Sequence, residues 1–168
     1  LVKGGVDNIM TYSNAQFVVL GSGDWEYEQF FKEMQAKYPG RFVLCQGFVP
    51  ELARKIYGGS DIFLMPSKSE PCGLSQMVAL RYGSIPVVRE TGCLKDSITD
   101  SGDGKGNGFT FQTYDTQDML NSVHRAIYAY NESKDGWKVL VERAMACDNS
   151  WGRSANDYIR LYKQLINS

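Results

Sequence analysis

A short segment near the middle of the chain combines an acidic residue with the backbone pattern of an anion-binding site. Glu70 follows a strand-length apolar run at Ile62–Met65, and Pro71 stands directly after it. Proline suits the first position of a helix, so the sequence predicts a helix that Pro71 opens and that continues through Tyr82. The free N–H groups at a helix N-terminus carry partial positive charge and bind anions. The segment therefore predicts an anion site with the Glu70 carboxylate beside it.

Spacing alone leaves the roles of several neighbouring residues open. Glu70 fits a helix N-cap or an exposed surface position as well as a catalytic one. Cys72 fits a small buried residue in the first helical turn better than a reactive thiol. Phe48 fits a core aromatic residue or a ring that stacks on a ligand. His124, the only histidine, is expected to be structural or exposed, and the charged residues at 89, 90, 95 and 96 fit solvated surface positions.

The elements that must position these residues follow an alternating order of strands and helices. Predicted strands lie at Phe17–Leu20, Arg41–Gln46, Ile62–Met65, Ile85–Arg89 and Phe109–Phe111. Predicted helices lie at Val6–Asn14, Trp25–Tyr38, Glu51–Tyr57 and Trp137–Met145, with others after the caps Asp115 and Ser150, the last ending at Ile166. Leu1–Gly5 is expected to be irregular, and the glycine-rich stretch Asp96–Gly108 is expected to be a mobile loop. The order predicts an α/β fold: a Rossmann-like, three-layer lobe with a mostly parallel sheet and helices on both faces.

Such a fold also predicts where a ligand binds. Ligands of open parallel sheets bind outside the carboxyl ends of the strands. Four predicted loops lie at that edge: Gly21–Gly23, Gly47–Phe48, Ser67–Ser75 and Thr91–Leu94. The glycines at 21 and 23 alone do not distinguish a tight turn from a ligand contact.

Composition excludes several classes of function. The chain has 168 residues, 43% of them hydrophobic and 22% charged, which fits one domain with a substantial core. A net charge of −1 argues against a nucleic acid or an anionic membrane as the main partner. No apolar run is long enough to span a bilayer, and no signal peptide is visible. The four cysteines are widely spaced, which indicates reduced thiols, and no cluster of metal ligands appears, so no metal is expected.

One family resemblance runs through most of the chain. The run Glu70-Pro-Cys-Gly-Leu-Ser-Gln76, with Arg81-Tyr-Gly-Ser-Ile-Pro-Val87, resembles the signature of bacterial glycogen synthases and plant starch synthases, glycosyltransferase family 5. The resemblance continues through Glu90–Ser97 and Asn107–Phe111 to Ser150-Trp151. Those enzymes are retaining glucosyltransferases with the two-lobed GT-B fold and use ADP-glucose. Only the C-terminal, nucleotide-binding lobe is matched. Residues 1–168 are therefore expected to be a single domain, a fragment that lacks the N-terminal acceptor lobe and the first strand of its own lobe.

The resemblance implies roles for particular residues. Glu70 would lie close to the donor glucose and be needed for its transfer, with Cys72 packed near that sugar and the backbone N–H groups of Gly73, Leu74 and Ser75 facing sugar hydroxyls or phosphate oxygens. The corner of Thr91, Gly92 and Cys93 would hold the distal phosphate of the donor. Phe48 would stack on the adenine, and Lys3 is a candidate phosphate ligand. The family has glycine where this chain has Cys93, and a cysteine there costs about 1 kcal/mol if the position needs a positive φ.

The resemblance also implies a reaction and its partners. The complete enzyme would move glucose from ADP-glucose to the non-reducing end of an α-1,4-glucan without a cofactor or metal, in a bacterial cytoplasm or a plastid stroma. Its partners would be ADP-glucose or ADP, the glucan and the N-terminal lobe, with no nucleic acid and no membrane; the fragment alone is expected to be inactive. Two alternatives stay open: another retaining GT-B transferase with a UDP- or GDP-sugar, and a non-catalytic nucleotide-binding lobe. A dehydrogenase is disfavoured because Gly21-Ser-Gly23 lacks the third glycine of a dinucleotide-binding turn.

Overall fold

Helices and parallel strands alternate along residues 1–166, the part of the chain that the computed structural model describes. The strands are β1 (Phe17–Gly21), β2 (Phe42–Gln46), β3 (Ile62–Met65), β4 (Ile85–Arg89) and β5 (Phe109–Phe111). The helices are α1 (Val2–Tyr12), α2 (Trp25–Lys37), α3 (Pro50–Gly59), α4 (Ser75–Tyr82), α5 (Cys93–Ser97), α6 (Thr116–Glu132), α7 (Lys134–Met145) and α8 (Trp151–Ile166). None of these helices is both long and apolar enough to cross a membrane. The α/β order confirms the predicted fold class, and every predicted strand is present.

The strands form two parallel sheets where the sequence predicted one. Strand β1 pairs with β2, and the second sheet has the order β3-β4-β5. Strand β4 is central, with Met65 of β3 opposite Val88 and Phe111 of β5 opposite Arg89. Within the described residues, β1 and β3 share no hydrogen-bond ladder; the Phe17 side chain packs against the cores of both sheets instead. The two sheets are therefore joined by side-chain packing.

Two apolar cores hold these sheets. The larger lies between the three-stranded sheet and helices α6 and α7, around Val87, Phe111, Met119 and Leu140. Its central strand β4 is buried on both faces because helices cover each side, as expected for a parallel sheet. The smaller core is built from Val6, Met10, Met34 and Phe42 under α1 and α2. Both cores lie between the strands and the helices, and the loops that follow the strands lie at the carboxyl ends of the strands.

The first helix begins earlier than the sequence predicted. The stretch Leu1–Gly5 was expected to be irregular, but α1 starts at Val2 and includes Gly4 and Gly5. Gly5 is buried against α6, where an added Cβ atom would overlap the Met119 side chain. Glycine weakens an isolated helix, but here it allows two helices to approach closely, and their packing outweighs the propensity.

The helix after Glu70 begins later than predicted, which corrects the role given to Pro71. Helix α4 starts at Ser75 with Leu74 as its N-cap. The Glu70 carbonyl accepts the Cys93 amide at 3.3 Å, and the Gly73 carbonyl accepts Gln76 Nε2 at 2.6 Å. The Glu70 carbonyl thus has a partner in the neighbouring loop and the Gly73 carbonyl has a side-chain partner, and the bond from the Val78 amide to the Leu74 carbonyl marks the first turn of α4.

The other helix caps agree with the sequence to different degrees. Asp115 caps α6 as predicted, accepting the amides of Gln117 at 2.8 Å and Asp118 at 3.1 Å. Asp24 stands at the N-cap of α2, but its side chain makes no capping bond. Helix α7 starts three residues before the predicted Trp137, because Ser133 caps it by accepting the Gly136 amide at 3.1 Å.

The stretch predicted as a mobile loop, Asp96–Gly108, is organised by one carboxylate. It holds the end of α5 and a 3₁₀ turn at Ser101–Asp103, and Asp100 and Gly108 form a parallel bridge. Asp100 accepts the amides of Gly102 and Thr110, each at 2.8 Å, and forms an ion pair with Arg125. Burial alone would raise the pKa of Asp100, but the Thr110 amide and the Arg125 guanidinium outweigh it and hold that pKa below its ordinary value.

The last helix, α8, is amphipathic, and none of its residues from Trp151 to Ile166 is buried. The predicted apolar side of α8, with Tyr158, Leu161, Tyr162 and Leu165, is exposed. Trp151 at its start is 89% exposed. A single exposed apolar residue needs no explanation, but a continuous apolar helix face is typical of a surface that contacts another protein element.

The Asp100 network makes stability depend on pH in a defined direction. Since its pKa is lower in the folded protein than in the unfolded chain, its contribution is present above a pH of about 4 and is lost as the pH falls through the folded value. We expect Asp100→Asn to lower the free energy of urea unfolding by about 1–2 kcal/mol at pH 7 and by much less at pH 3. Asp61→Asn, at an exposed position before β3, is the control and should change little at either pH. An Asp100→Asn effect of equal size at both values would contradict this account.

Candidate functional site

The loop that carries Glu70 and the Thr91–Leu94 corner lie against each other at the carboxyl edge of the three-stranded sheet. The Cys93 amide donates to the Glu70 carbonyl at 3.3 Å, and the Cys93 thiol donates to the Pro71 carbonyl at 2.8 Å. They meet because β3 and β4 are neighbouring parallel strands, so their following loops emerge side by side. The structure therefore brings the loop of Glu70 and the corner together at one edge of the sheet, as the predicted parallel topology requires.

Gly92 is the residue that permits this contact. Its backbone has φ +46° and ψ −138°, a conformation open essentially to glycine alone. A Cβ atom there would overlap the Glu70 carbonyl oxygen. Cys93 has a negative φ, since the described residues include no non-glycine residue with a positive value. The positive φ that the corner requires is at position 92, so a cysteine at position 93 adopts an ordinary backbone conformation without strain.

Glu70 is half-buried and its carboxylate has one close protein donor, the Ser67 hydroxyl, at 3.3 Å from Oε2. Gly73 is packed beside it: a Cβ atom at Gly73 would lie 3.0 Å from Glu70 Cγ and 2.6 Å from Gln76 Oε1. Glycine at 73 therefore lets the backbone pass close to the acidic side chain. The loop presents the Glu70 side chain beside the backbone of Gly73.

The residues that follow lead into the N-terminus of α4. Cys72 is exposed and lies before the helix, so the expectation of a small buried residue in the first helical turn is wrong. Leu74 is exposed, and Ser75 is half-buried as the first helical residue. No side chain caps this end of the helix. Because the first N–H groups of any helix have no intrahelical acceptor, they are available to a ligand. The eight-residue helix α4 thus directs its positive end toward the loop that holds Glu70.

Gln76 is a buried residue of this site that the sequence analysis did not single out. Its Nε2 donates to the Gly73 carbonyl at 2.6 Å and to the Ser97 hydroxyl at 3.2 Å, and that hydroxyl donates to the Cys93 carbonyl at 2.7 Å. Among the described residues its Oε1 is a buried side-chain oxygen without a hydrogen-bond partner. Gln76 therefore links the two loops from beneath. The sequence contained one signal for this role: a glutamine on the side of the predicted helix that faces the core.

Arg89 was expected to be a solvated charge, and the structure gives it a different role. Its Nε donates to the Ser67 carbonyl at 3.0 Å, and its other nitrogens donate to the carbonyls of Lys68 and, at 3.4 Å, Gln112. The guanidinium also lies 5.7 Å from the centre of the Tyr114 ring. Arg89 ties the loop that carries Glu70 to the end of β5, which sequence spacing could not indicate.

Phe48 and Lys3 stand on other elements, after β2 and in α1. Phe48 follows β2 and is 92% exposed, so the alternative of a core aromatic residue is wrong. Lys3 Nζ forms a 2.5 Å ion pair with Glu26 and lies 5.2 Å from the Tyr27 ring centre. In the part of the chain that the structure describes, neither side chain makes a hydrogen bond or ring contact with the loops of Glu70 and Cys93. His124 is structural as expected, with Nε2 2.9 Å from Asn8 Oδ1.

Parallel strands flanked by helices, with loops gathered at the carboxyl ends of the strands, define a Rossmann-like lobe. The chain belongs to the family described as "Glycosyl transferases group 1", whose model matches residues 6–136. It is 52% identical over 159 residues to a glycogen synthase of Geobacillus thermodenitrificans (strain NG80-2), covering 94% of this chain and 33% of that protein. It is 48% identical over 168 residues to a glycogen synthase of Pseudothermotoga lettingae, covering 99% of this chain and 34% of that one. The chain thus spans about a third of the length of these curated relatives.

Solved structures agree with the family assignment. The catalytic domain of starch synthase IV from Arabidopsis thaliana, bound to ADP and acarbose, superposes with a TM-score of 0.81 at 36% identity, covering 97% of this chain and 35% of that one. Sucrose-phosphate synthase from Thermosynechococcus elongatus superposes with a TM-score of 0.66 at 20% identity, covering 96% of this chain and 41% of that one. The second likeness concerns the fold alone.

The role of Gly92 can be separated from the general cost of a positive φ. Gly104 has φ +76°, but an added Cβ atom would have open space around it. We expect Gly104→Ala to lower the free energy of unfolding by about 1 kcal/mol, the cost of the backbone conformation alone. Gly92→Ala should cost about 2–4 kcal/mol, because overlap with the Glu70 carbonyl adds to the strain. Urea unfolding of the two variants measures the difference, and equal losses would show that the close contact is unimportant.

Proposed function

We propose that this chain is the nucleotide-sugar-binding lobe of an ADP-glucose-dependent glycogen or starch synthase. The complete protein transfers glucose, with retention of configuration, to the non-reducing end of an α-1,4-glucan. The observation that carries the proposal is the direct contact between the loop of Glu70 and the corner of Thr91, Gly92 and Cys93. Support comes from two glycogen synthases that are 52% and 48% identical to this chain. Further support comes from a similar starch synthase whose solved structure contains ADP.

The diphosphate of the donor binds to backbone amides in this proposal. The N-terminus of α4, which no side chain caps, supplies the amides of its first turn, and these amides follow Gly73 and Leu74. The Ser75 hydroxyl lies beside these amides. At the corner, the amides of Thr91 and Leu94 already donate to protein carbonyls. The phosphate therefore uses the Gly92 amide and competes for the Cys93 amide, whose bond to Glu70 is long at 3.3 Å. These dipoles stabilise the negative charge that grows on the diphosphate as it leaves.

Glu70 supplies the negative charge beside the reacting sugar. A carboxylate at that place favours a transition state in which positive charge develops at the anomeric carbon. Its position is set by the Ser67 hydroxyl on one side and by the backbone of Gly73 on the other. Cys72, exposed at the same turn, packs near the sugar in this proposal and takes no part in bond making.

Phe48 and Lys3 are assigned to the nucleotide at the outer side of the site. The exposed Phe48 ring offers a face on which adenine can stack without disturbing a core. Lys3 is held by Glu26 in a partly exposed ion pair. Such pairs contribute little stability, so a donor phosphate can compete with Glu26 for the ammonium group.

The remainder of the protein provides the acceptor lobe and covers surfaces left open here. Two features support this part of the proposal: the exposed apolar face of α8, and the two sheets whose β1 and β3 edges lack a pairing strand in the described residues. An added parallel strand between them would join the sheets into one. Because the relatives named above include bacterial glycogen synthases, we place the complete protein in a bacterial cytoplasm.

Replacing Glu70 tests the proposed reaction. In the complete protein we expect Glu70→Gln to lower kcat for glucose transfer from ADP-glucose by about 10²- to 10³-fold, because the charge beside the anomeric carbon is lost. The Kd for ADP should change little, since backbone amides bind the diphosphate. Glu142→Gln, an exposed residue of α7, is the matched control and should retain the original rate. A rate within twofold of the original for Glu70→Gln would overturn the catalytic assignment.

Phe48 tests the nucleotide assignment separately. We expect Phe48→Ser to weaken ADP binding about tenfold, the usual size of one lost stacking contact, with thermal stability unchanged because the ring is 92% exposed. Tyr12→Ser removes another aromatic residue, 75% exposed, and should leave ADP affinity unchanged. Calorimetric titration with ADP, and competition of ADP-glucose against UDP-glucose, provide the measurement. Preference for UDP-glucose would favour the alternative of a different donor.

A further inference from the structure

Two of the four cysteines lie on the two loops that meet beside Glu70. Cys93 Sγ donates to the Pro71 carbonyl at 2.8 Å. That carbonyl and the Cys72 Cα atom belong to one planar peptide unit and lie about 3 Å apart. The Cys93 sulfur is therefore within about 6 Å of the Cys72 Cα atom. The Cys93 sulfur lies about 2.8 Å from its own Cα atom, so the Cα atoms of Cys72 and Cys93 are at most about 8 Å apart. The Cα atoms of a disulfide are usually about 4.4–6.8 Å apart, so a shift of one loop by about 2 Å brings the pair within bridging range.

The surroundings of these two thiols allow that movement. Cys72 is exposed and lies between β3 and α4, outside regular secondary structure, so an oxidant in solution reaches it directly. Cys93 is half-buried, with its side chain already directed at the neighbouring peptide. The two loops are bonded to each other directly by the Cys93 thiol and by the 3.3 Å bond from the Cys93 amide, and Gln76 links them indirectly through Ser97. The bridge breaks the thiol bond and needs only a local shift at Cys72, which lies on the exposed side of its loop.

The other two cysteines are placed differently and serve as internal controls. Cys147 lies after α7, where its sulfur accepts Asn107 Nδ2 at 3.3 Å and donates to the Arg143 carbonyl at 3.5 Å. Cys45 lies within β2, in the other sheet. Neither position is adjacent to the loops of Glu70 and Cys93.

We propose that Cys72 and Cys93 form a reversible oxidation site that reacts with small disulfides such as glutathione disulfide. The Cys72 thiolate attacks one sulfur of the glutathione disulfide, its S–S bond breaks, and one glutathione thiol leaves. The Cys93 thiolate then attacks the Cys72 sulfur of the mixed disulfide, and the second glutathione leaves. The two protons of the protein thiols pass through solvent to the two glutathione thiolates. The protein is oxidised by two electrons, and glutathione disulfide is reduced to two thiols.

The bridge has a consequence for ligand binding that rests on the proposed function. It draws position 93 toward Cys72 and removes the thiol's bond to the Pro71 carbonyl. The corner amides of Gly92 and Cys93, which the proposal assigns to the distal phosphate, move with it. We expect the bridged protein to bind ADP about tenfold more weakly, equivalent to losing one hydrogen bond to a charged group.

Peptide mapping of the complete protein tests the covalent step. The protein is equilibrated in glutathione buffers of increasing oxidised fraction, alkylated, digested and analysed by mass spectrometry. We expect a Cys72–Cys93 crosslinked peptide that dithiothreitol removes. The Cys147→Ser and Cys45→Ser variants should form the same bridge, whereas Cys93→Ser should carry a single glutathione on Cys72. Separate glutathione adducts on Cys72 and Cys93, a bridge from Cys72 to any other cysteine, or two thiols that stay free would each overturn the proposal.

Titration with ADP separates this inference from the proposed function. If the reduced protein binds ADP and the bridged protein binds it about tenfold more weakly, the ligand-binding consequence holds. Equal affinity in the two forms contradicts that consequence, although the donor site itself stands. A reduced protein that does not bind ADP refutes the proposed donor site, while the crosslink result is judged on its own by peptide mapping.

Discussion

The contact between the Glu70 carbonyl and the corner at Gly92 and Cys93 determines how the rest of the site is arranged. Two neighbouring parallel strands bring the loops side by side, and only glycine at position 92 allows them to touch. The Glu70 carbonyl accepts the Cys93 amide of the neighbouring loop, and helix α4 begins only at Ser75. The stretch between Glu70 and Ser75 is a turn that packs against the corner.

Two polar side chains keep this arrangement in place from opposite sides. Gln76, fully buried, connects the Gly73 carbonyl to Ser97 and so to the corner. Arg89, at the end of the central strand, holds the carbonyls of Ser67 and Lys68 ahead of Glu70. Both side chains act on backbone carbonyls of the same loop, Gln76 on Gly73 and Arg89 on Ser67 and Lys68. The loop that carries Glu70 is therefore fixed at both of its ends.

Short sequence patterns correctly predicted the elements that neighbouring residues determine. The runs of β3, β4 and β5 and the Asp115 cap were predicted because a few neighbouring residues determine them. The contact of the two loops also followed, since parallel topology alone brings them together. The predicted starts of α1 and α4 were wrong because the observed starts depend on residues distant in sequence. Gly5 packs against Met119, and the Glu70 carbonyl accepts the Cys93 amide. The role of Arg89 was missed for the same reason. The sequence around an arginine at the end of a strand does not show whether water or carbonyl groups surround its side chain.

Position 93 shows how the strain of a turn can be confined to one residue. The corner could have required glycine at both 92 and 93, and a cysteine at 93 would then have been costly. Instead Gly92 adopts the whole positive-φ conformation, and Cys93 enters α5 with an ordinary backbone. Its side chain is thereby free to reach across to the Pro71 carbonyl. A backbone that needs only one glycine at this corner can thus accept a thiol beside the loop of Cys72 without backbone strain. The same geometry that makes a cysteine inexpensive at position 93 directs its sulfur toward the peptide that joins Pro71 and Cys72.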